Sequence, residues 1–222
     1  MARASASGGP DFSRESALLA EGLVRVCGVD EAGRGPLVGP VVAAAVILNP
    51  ESIPAGLDDS KKLTSQKRQT LIEKINHSGA IHAVSVVSAQ EIDRINIRQA
   101  TLLAMTQAVN GLVHRAEYVL IDGRDYPPAL DVPCEAVIKG DAKIVSIAAA
   151  SIIAKETRDA IMKDLDQHFP GYGWAHNSGY PTRQHIEALN TLGVTPHHRR
   201  SYAPVKKILA QTRTVQARQS GD

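Results

Sequence analysis

The chain has 222 residues, 43% of them hydrophobic, enough for one domain with a real core and a small appended helical region. Its formal net charge of +2 excludes a uniformly positive surface, so any contact with nucleic acid must rest on local basic clusters. Cys27 and Cys134 are too few and too far apart for a disulfide framework or a zinc site, and no apolar run is long enough to span a membrane.

Residues 1–22 are expected as a flexible tail and lead-in. The first dozen are rich in Ala, Ser and Gly and lack the apolar stretch of a secretory signal. A folded domain is expected over 23–210 and a frayed tail over 211–222. Val24 to Val29 is a short apolar run closed by glycines and prolines, which predicts a buried strand with Asp30 and Glu31 at its end. Val41 to Leu48 and Ala80 to Val87 are two further strands, together an antiparallel meander. Thr64 to His77 has helical character, with Gly79 just beyond its end. Ser88-x-x-Glu91 is a capping-box pattern that opens a helical stretch running irregularly through Ile95 to Val113.

Tyr118 to Ile121 then reads as a strand ending at Asp122-Gly123, and Glu135 to Ile138 as another ending at Lys139-Gly140-Asp141. Ile144 to Phe169 reads as a long helix, in which Ala148, Ala149, Ala150 and Ala154 let one face approach a sheet closely. Thr182 to Leu192 and Pro204 to Thr214 form a C-terminal helical subregion. The order predicts an α/β fold, a central mixed sheet flanked by helices.

The stretch from Cys27 to Pro40 carries the most chemistry, because a strand delivers two carboxylates into a turn of glycines flanking an arginine. Adjacent side chains on a regular strand point to opposite faces, so Asp30 and Glu31 serve one site only if the chain kinks at Glu31. The glycine spacing, G-x-G-x-x-x-G, differs from the dinucleotide fingerprint, and carboxylates stand where a pyrophosphate would approach. Gly33-Arg34-Gly35 is therefore read as a backbone loop that lets a nucleic-acid strand come close, with Arg34 supplying a cation. By itself an Asp-Glu pair equally suits a solvated turn. Asp122-Gly123 is also an ordinary turn pattern, and Asp141 is placed to cap a helix. Lys61 and Lys62 follow Asp59-Ser60 in a loop where two ammonium groups can hold phosphates or simply face water. Arg199 and Arg200 belong to another basic cluster, and His197-His198 lacks companions at zinc-ligand spacing, which favours structural hydrogen bonding.

These fourteen residues resemble the signature of ribonuclease HII. Further matching blocks, in the family's order, are Asp59-Ser60-Lys61-Lys62-Leu63, Ile121-Asp122-Gly123, Lys139-Gly140-Asp141, the run from Ile147 to Asp159, and His197-His198-Arg199-Arg200-Ser201-Tyr202. The resemblance implies a ribonuclease H-like fold and an endonuclease that hydrolyses the RNA strand of RNA–DNA hybrids and cuts 5′ of ribonucleotides embedded in duplex DNA. It implies Asp30, Glu31, Asp122 and Asp141 as the catalytic and metal-holding carboxylates. Clustered carboxylates repel unless cations neutralise them, and hard oxygen ligands suit two Mg2+ or Mn2+ ions.

Tyr180 matches the family tyrosine that stacks on a sugar at the RNA–DNA junction, while the residues alone favour a loop aromatic packed on Trp174. Gly33, Arg34, Gly35, Lys61 and Lys62 complete the expected substrate contacts. Asn177-Ser178 departs from the family's usual His-Lys, which puts one phosphate contact in doubt, and Asp159 is left unassigned. The enzyme is expected to be a cytoplasmic monomer with no membrane partner. Two rivals are an inactive binding module, against which the presence of all four carboxylates argues, and another metal nuclease of the same architecture. A ribonuclease HIII-like enzyme would carry an extra N-terminal domain, whereas about twenty residues precede the first strand here.

Overall fold

The computed structural model describes residues 8–219, with side chains through residue 211; the outer parts of both expected tails, 1–7 and 220–222, lie outside the described residues. The chain divides into two compact units. One comprises Met1–Ala32, Val42–Val86 and Thr101–Thr157, the other Gly33–Val41, Val87–Ala100 and Arg158–Asp222.

The first unit is built on a sheet of β1 (Val26–Ala32), β2 (Val41–Ile47), β3 (Ile81–Val87), β4 (Tyr118–Asp122) and β5 (Cys134–Val137), in the order β3-β2-β1-β4-β5. Strand β1 runs antiparallel to β2 and parallel to β4, and β4 runs parallel to β5. The sheet is mixed, as the element order predicts. Every residue of β2 is buried, the pattern of a strand covered on both faces, whereas the edge strand β3 exposes alternate residues along its length. In the β1–β4 register Val29 pairs with Ile121, so Asp30 and Asp122 follow at the same end of neighbouring parallel strands. In open α/β sheets that end is where ligands bind.

Eight helices lie among the described residues: α1 (Ser13–Ala20), α2 (Ser65–His77), α3 (Ala89–Ile95), α4 (Ile97–Asn110), α5 (Val145–His168), α6 (Trp174–Asn177), α7 (Arg183–Leu192) and α8 (Ala203–Gln219). The capping box is formed, since Ser88 Oγ accepts from the Glu91 amide. The irregular helix beyond it is two helices, divided at Asn96, whose φ of 68° breaks the helical run. Two stretches expected as tail are helical: α1 lies in the lead-in, and α8 runs on to Gln219.

Helix α1 escapes sequence reading because its role is tertiary. Leu18 packs with Val26, Leu120 and Ile147. The buried Glu15 accepts the Ser146 amide at 2.9 Å, so a carboxylate from α1 caps the start of α5, favourable at a helix N-terminus. The alanines of α5 pack with Ala44 and Val46 of β2 and with Leu71 and Ile75 of α2. The approach is tightest at Gly28, where a Cβ would stand 2.2 Å from the Ser146 carbonyl carbon.

In the second unit, Val38, Met162, Tyr172, Trp174 and Ala188 form one apolar cluster and Leu37, Leu189 and Val205 another. Residues 37–39 are strapped to 197–199: the Gly39 amide donates to His197 O at 2.9 Å and the Arg199 amide to Leu37 O at 2.8 Å. No helix among the described residues is long and apolar enough to cross a membrane.

Because the obstacle at Gly28 is backbone, Gly28→Ala is expected to destabilise the protein by about 3 kcal/mol or more, read as a lowered urea midpoint. Near-wild-type stability would show that α5 can move off β1.

Candidate active site

Three carboxylates converge in the first unit. Asp30 ends the apolar part of β1, Asp122 closes β4, and Asp141 lies in the short 3-10 turn Gly140–Ala142 after β5. Each offers one carboxylate oxygen, and these three oxygens lie within 4.8 Å of one another. The return of Asp141 depends on an unusual turn, for Lys139 is left-handed at φ 57°. The Gly140 amide then donates to Asp122 Oδ1 at 2.6 Å, and a Cβ on Gly140 would press within 2.6 Å of Ile147 Cδ1. Asp141 thus belongs to a turn tied to Asp122 and does not merely cap α5, whose start Glu15 occupies.

The electrostatics calls for a cation. Burial pushes the Asp30 carboxyl well above the usual carboxylate range, and the charges of Glu31, Asp122 and Asp141 push it further. Asp122 is raised too, first by burial and then by Asp141. Packed, partly desolvated oxygen ligands of this kind fit a hard divalent cation.

The kink expected at Glu31 is not formed. Strand β1 stays regularly paired through Ala32, with Glu31 opposite Ala43 and Ala32 opposite Val42. The three oxygens that converge are those of Asp30, Asp122 and Asp141. Glu31 acts on Asp30 through its charge and donates its amide to Asp30 Oδ1 at 2.7 Å.

Lys61 does reach the cluster, its Nζ standing 3.3 Å from Asp141 Oδ2 and 3.8 Å from Asp59 Oδ1. Burial pulls the Lys61 ammonium down, but Asp59, then Asp141 and Asp30, leave it raised. Lys62 is paired with Asp58 at 2.9 Å. The turn carrying both lysines is anchored by residues that sequence reasoning passed over. The Ser60 amide donates to Ser151 Oγ, and the buried Arg68 bonds to the carbonyls of Ser60 and Leu63 while pairing with Glu156 at 2.6 Å.

The remaining expected residues lie in the second unit. Gly33 has φ +98°, and a Cβ on Gly35 would meet Tyr180 Cε1 at 3.2 Å, so the loop and the tyrosine form one patch. Tyr180 is 48% exposed. The stacking partner of Trp174 is instead Tyr172, at 4.8 Å between centroids. The turn before Tyr180 is held by Asn177, whose Oδ1 accepts the Gly179 amide and whose Nδ2 donates to Tyr172 O. Asp159 accepts from Ser178 Oγ at 3.4 Å and is not one of the three converging carboxylates. Arg199, placed above in a basic cluster, is fully buried.

His185 and His198 are also buried, with Nε2 atoms 3.2 Å apart. The Thr195 amide donates to His198 Nδ1, and Trp174 Nε1 donates to His185 Nε2. Neutral His198 therefore carries its proton on Nε2, and His185 carries its own on Nδ1, aimed at Tyr180 O at 2.9 Å.

Comparison with known proteins decides the family. The ribonuclease HII family model matches residues 27–205. The chain belongs to the ribonuclease HII family. Among its relatives, ribonuclease HII of Ruegeria pomeroyi is 56% identical over 202 residues, covering 91% of this chain and 86% of the relative. That of Cereibacter sphaeroides strain KD131 is 54% identical over 206 residues, covering 93% and 97%. The crystal structure of ribonuclease H2 from Pyrococcus horikoshii OT3 superposes with a TM-score of 0.73 at 30% identity, over 86% of this chain and 99% of that one. The fold is ribonuclease H-like, and the protein is an endoribonuclease of the ribonuclease H type, acting on the RNA strand of RNA–DNA hybrids.

Two expectations follow from these charges. Asp30→Asn removes the most strongly disfavoured buried charge, so the metal-free protein should melt higher than wild type while the rise in melting temperature on adding Mg2+ or Mn2+ is lost. An undiminished metal-dependent rise would show that Asp30 holds no cation.

His198 is held from its ordinary 6.5 down to about 3, mainly by burial and then by the charge of His185. A histidine lowered in the folded state lends its full stability above pH 6.5 and loses it as the pH falls toward about 3. Acid melts should track that window, and His198→Asn should flatten the dependence there. An unchanged profile would exclude the pair as its source.

Proposed function

We propose that this enzyme, besides cleaving hybrids, cuts on the 5′ side of ribonucleotides embedded in duplex DNA and leaves 5′-phosphate and 3′-hydroxyl ends. In this reading Asp30, Glu31, Asp122 and Asp141 are the catalytic, metal-holding carboxylates. Gly33, Arg34, Gly35, Lys61, Lys62 and Tyr180 contact the substrate, and the enzyme works as a cytoplasmic monomer. The observation that carries it is the convergence of Asp30, Asp122 and Asp141 oxygens within 4.8 Å, supported by the family's activity.

Two Mg2+ or Mn2+ ions held by these carboxylates would activate a water and stabilise the leaving oxygen. The chain's own residues supply the rest. Asp30 and Asp122, both raised by burial and neighbouring carboxylates, favour a cation that would offset their charges. Glu31 adds negative charge beside Asp30, which strengthens the demand for that cation. Lys61 neutralises Asp141 beforehand and exchanges that carboxylate for a substrate phosphate, while Lys62 offers a second phosphate contact from the same turn. The Tyr180 ring presents an apolar face suited to a sugar without a 2′-hydroxyl, and the glycine backbone beside it suits close approach to the sugar that has one.

The decisive assay compares cleavage of a DNA duplex carrying one ribonucleotide with cleavage of a continuous hybrid, in Mg2+ and in Mn2+. Wild type is expected to cut both. Tyr180→Ala should lower cutting at the single ribonucleotide roughly five- to tenfold more than cutting of the hybrid, where the adjoining sugar also carries a hydroxyl. Equal losses would remove Tyr180 from junction recognition, and a wild type inert toward the embedded ribonucleotide would refute the finer activity.

A further inference from the structure

Arg158 and Arg199 are 2% and 0% exposed, and their donors go to backbone. Arg199 Nε donates to Gly39 O at 3.0 Å, Nη1 to Arg34 O at 2.9 Å, and Nη2 to Gly33 O at 2.6 Å and Pro40 O at 3.1 Å. Arg158 Nε donates to Pro40 O at 3.1 Å, Nη2 to Val38 O at 3.1 Å, and Nη1 to Ser178 O at 2.9 Å. Tyr202 joins them, its hydroxyl donating to Arg34 O at 2.8 Å and accepting from Arg199 Nη1 at 3.0 Å. Gly33 lies so close to Arg158 that a Cβ would stand 2.1 Å from Nε.

In a trans peptide the carbonyl and the following N–H point in opposite directions. Drawing the Gly33 and Arg34 oxygens onto buried cations therefore turns the Arg34 and Gly35 N–H groups away from those cations, the orientation in which they can donate to a ligand. Burial, together with the charge of Arg199, lowers Arg158 to about 10, so an anionic ligand on the far side of the loop would be welcome to both. Arg158 also grips Ser178 O in the turn that leads to Tyr180, so one guanidinium links both halves of the patch.

We propose that Arg158 and Arg199 are positioning residues for ribonucleotide recognition, gripping the loop carbonyls from inside so that the Arg34 and Gly35 amides face the substrate. The proposal rests on the reading of Gly33-Arg34-Gly35 and Tyr180 as substrate contacts.

The test is equilibrium binding in chelator, where nothing is cut, to a DNA duplex with one ribonucleotide and to the all-DNA duplex of the same sequence. Lysine keeps the charge but lacks the planar fork that bridges several carbonyls. Arg199→Lys and Arg158→Lys should each lower the preference for the ribonucleotide roughly tenfold, and Tyr202→Phe about threefold. Affinity for the all-DNA duplex and the far-UV circular dichroism should hold. A folded lysine variant that keeps the preference overturns the proposal. If neither lysine variant folds, Tyr202→Phe decides, and an unchanged preference there overturns it as well. Gly35→Ala and Tyr180→Ala separate the two readings. If both leave the preference intact, or wild type has none, the loop is not a substrate contact and the proposal falls with it. If both lower the preference and the arginine and Tyr202 variants do not, only the positioning role fails.

Discussion

The parallel pairing of β1 with β4 is the constraint from which the first unit follows. Once Val29 stands beside Ile121, Asp30 and Asp122 come next at the same end of the sheet, and the turn after β5 adds Asp141. Three carboxylates held this close, with burial pushing Asp30 and Asp122 up, are an unfavourable arrangement that the rest of the unit must hold in place. Helix α5 is pressed onto β1 at Gly28, its first turn is capped from another helix by Glu15, and Asp122 takes the Gly140 amide. Lys61, steadied by Arg68, Glu156 and Ser151, supplies a positive charge at Asp141. The stability sacrificed in assembling the cluster is what suits it to a cation.

The second unit uses the opposite sign. Two buried guanidinium groups, themselves disfavoured by burial, are satisfied by loop carbonyls, and the loop conformation is the consequence. A loop with two glycines is entropically costly to order; hydrogen bonds to ions, roughly twice as strong as neutral ones, offset that cost. The neutral pair His185 and His198 completes the frame beneath Tyr180, where the Thr195 amide and the Trp174 indole leave each ring one proton and one direction in which to donate it.

Much of this was legible in the sequence because the signals are local. Continuous apolar runs marked β1, β2 and β4, Ser88 and Glu91 marked a helix start, and the motif blocks named the family and the carboxylates at the ends of their elements. Helix α1 was missed because Ser13–Ala20 has a polar first turn and its purpose, Leu18 in the core and Glu15 on α5, involves residues more than a hundred positions away. The single helix expected after Ser88 broke at Asn96, since a left-handed residue leaves no periodicity to read. Arg199 looked like surface charge because a run of basic residues is usually solvated, and nothing local announces carbonyls from residues 33–40.

The sequence by itself determined the family, the mixed α/β architecture and which acidic residues end the strands, because strand and helix periodicity, turn glycines and acidic motif positions are short-range properties of the chain. Tertiary structure alone decided which of those residues meet. Strand register brought Asp30 and Asp122 together and the turn after β5 added Asp141, while pairing with β2 kept the end of β1 unkinked at Glu31. The burial of Arg158 and Arg199 was likewise decided by packing, since a guanidinium becomes structural only where folding brings enough carbonyl oxygens to replace its water.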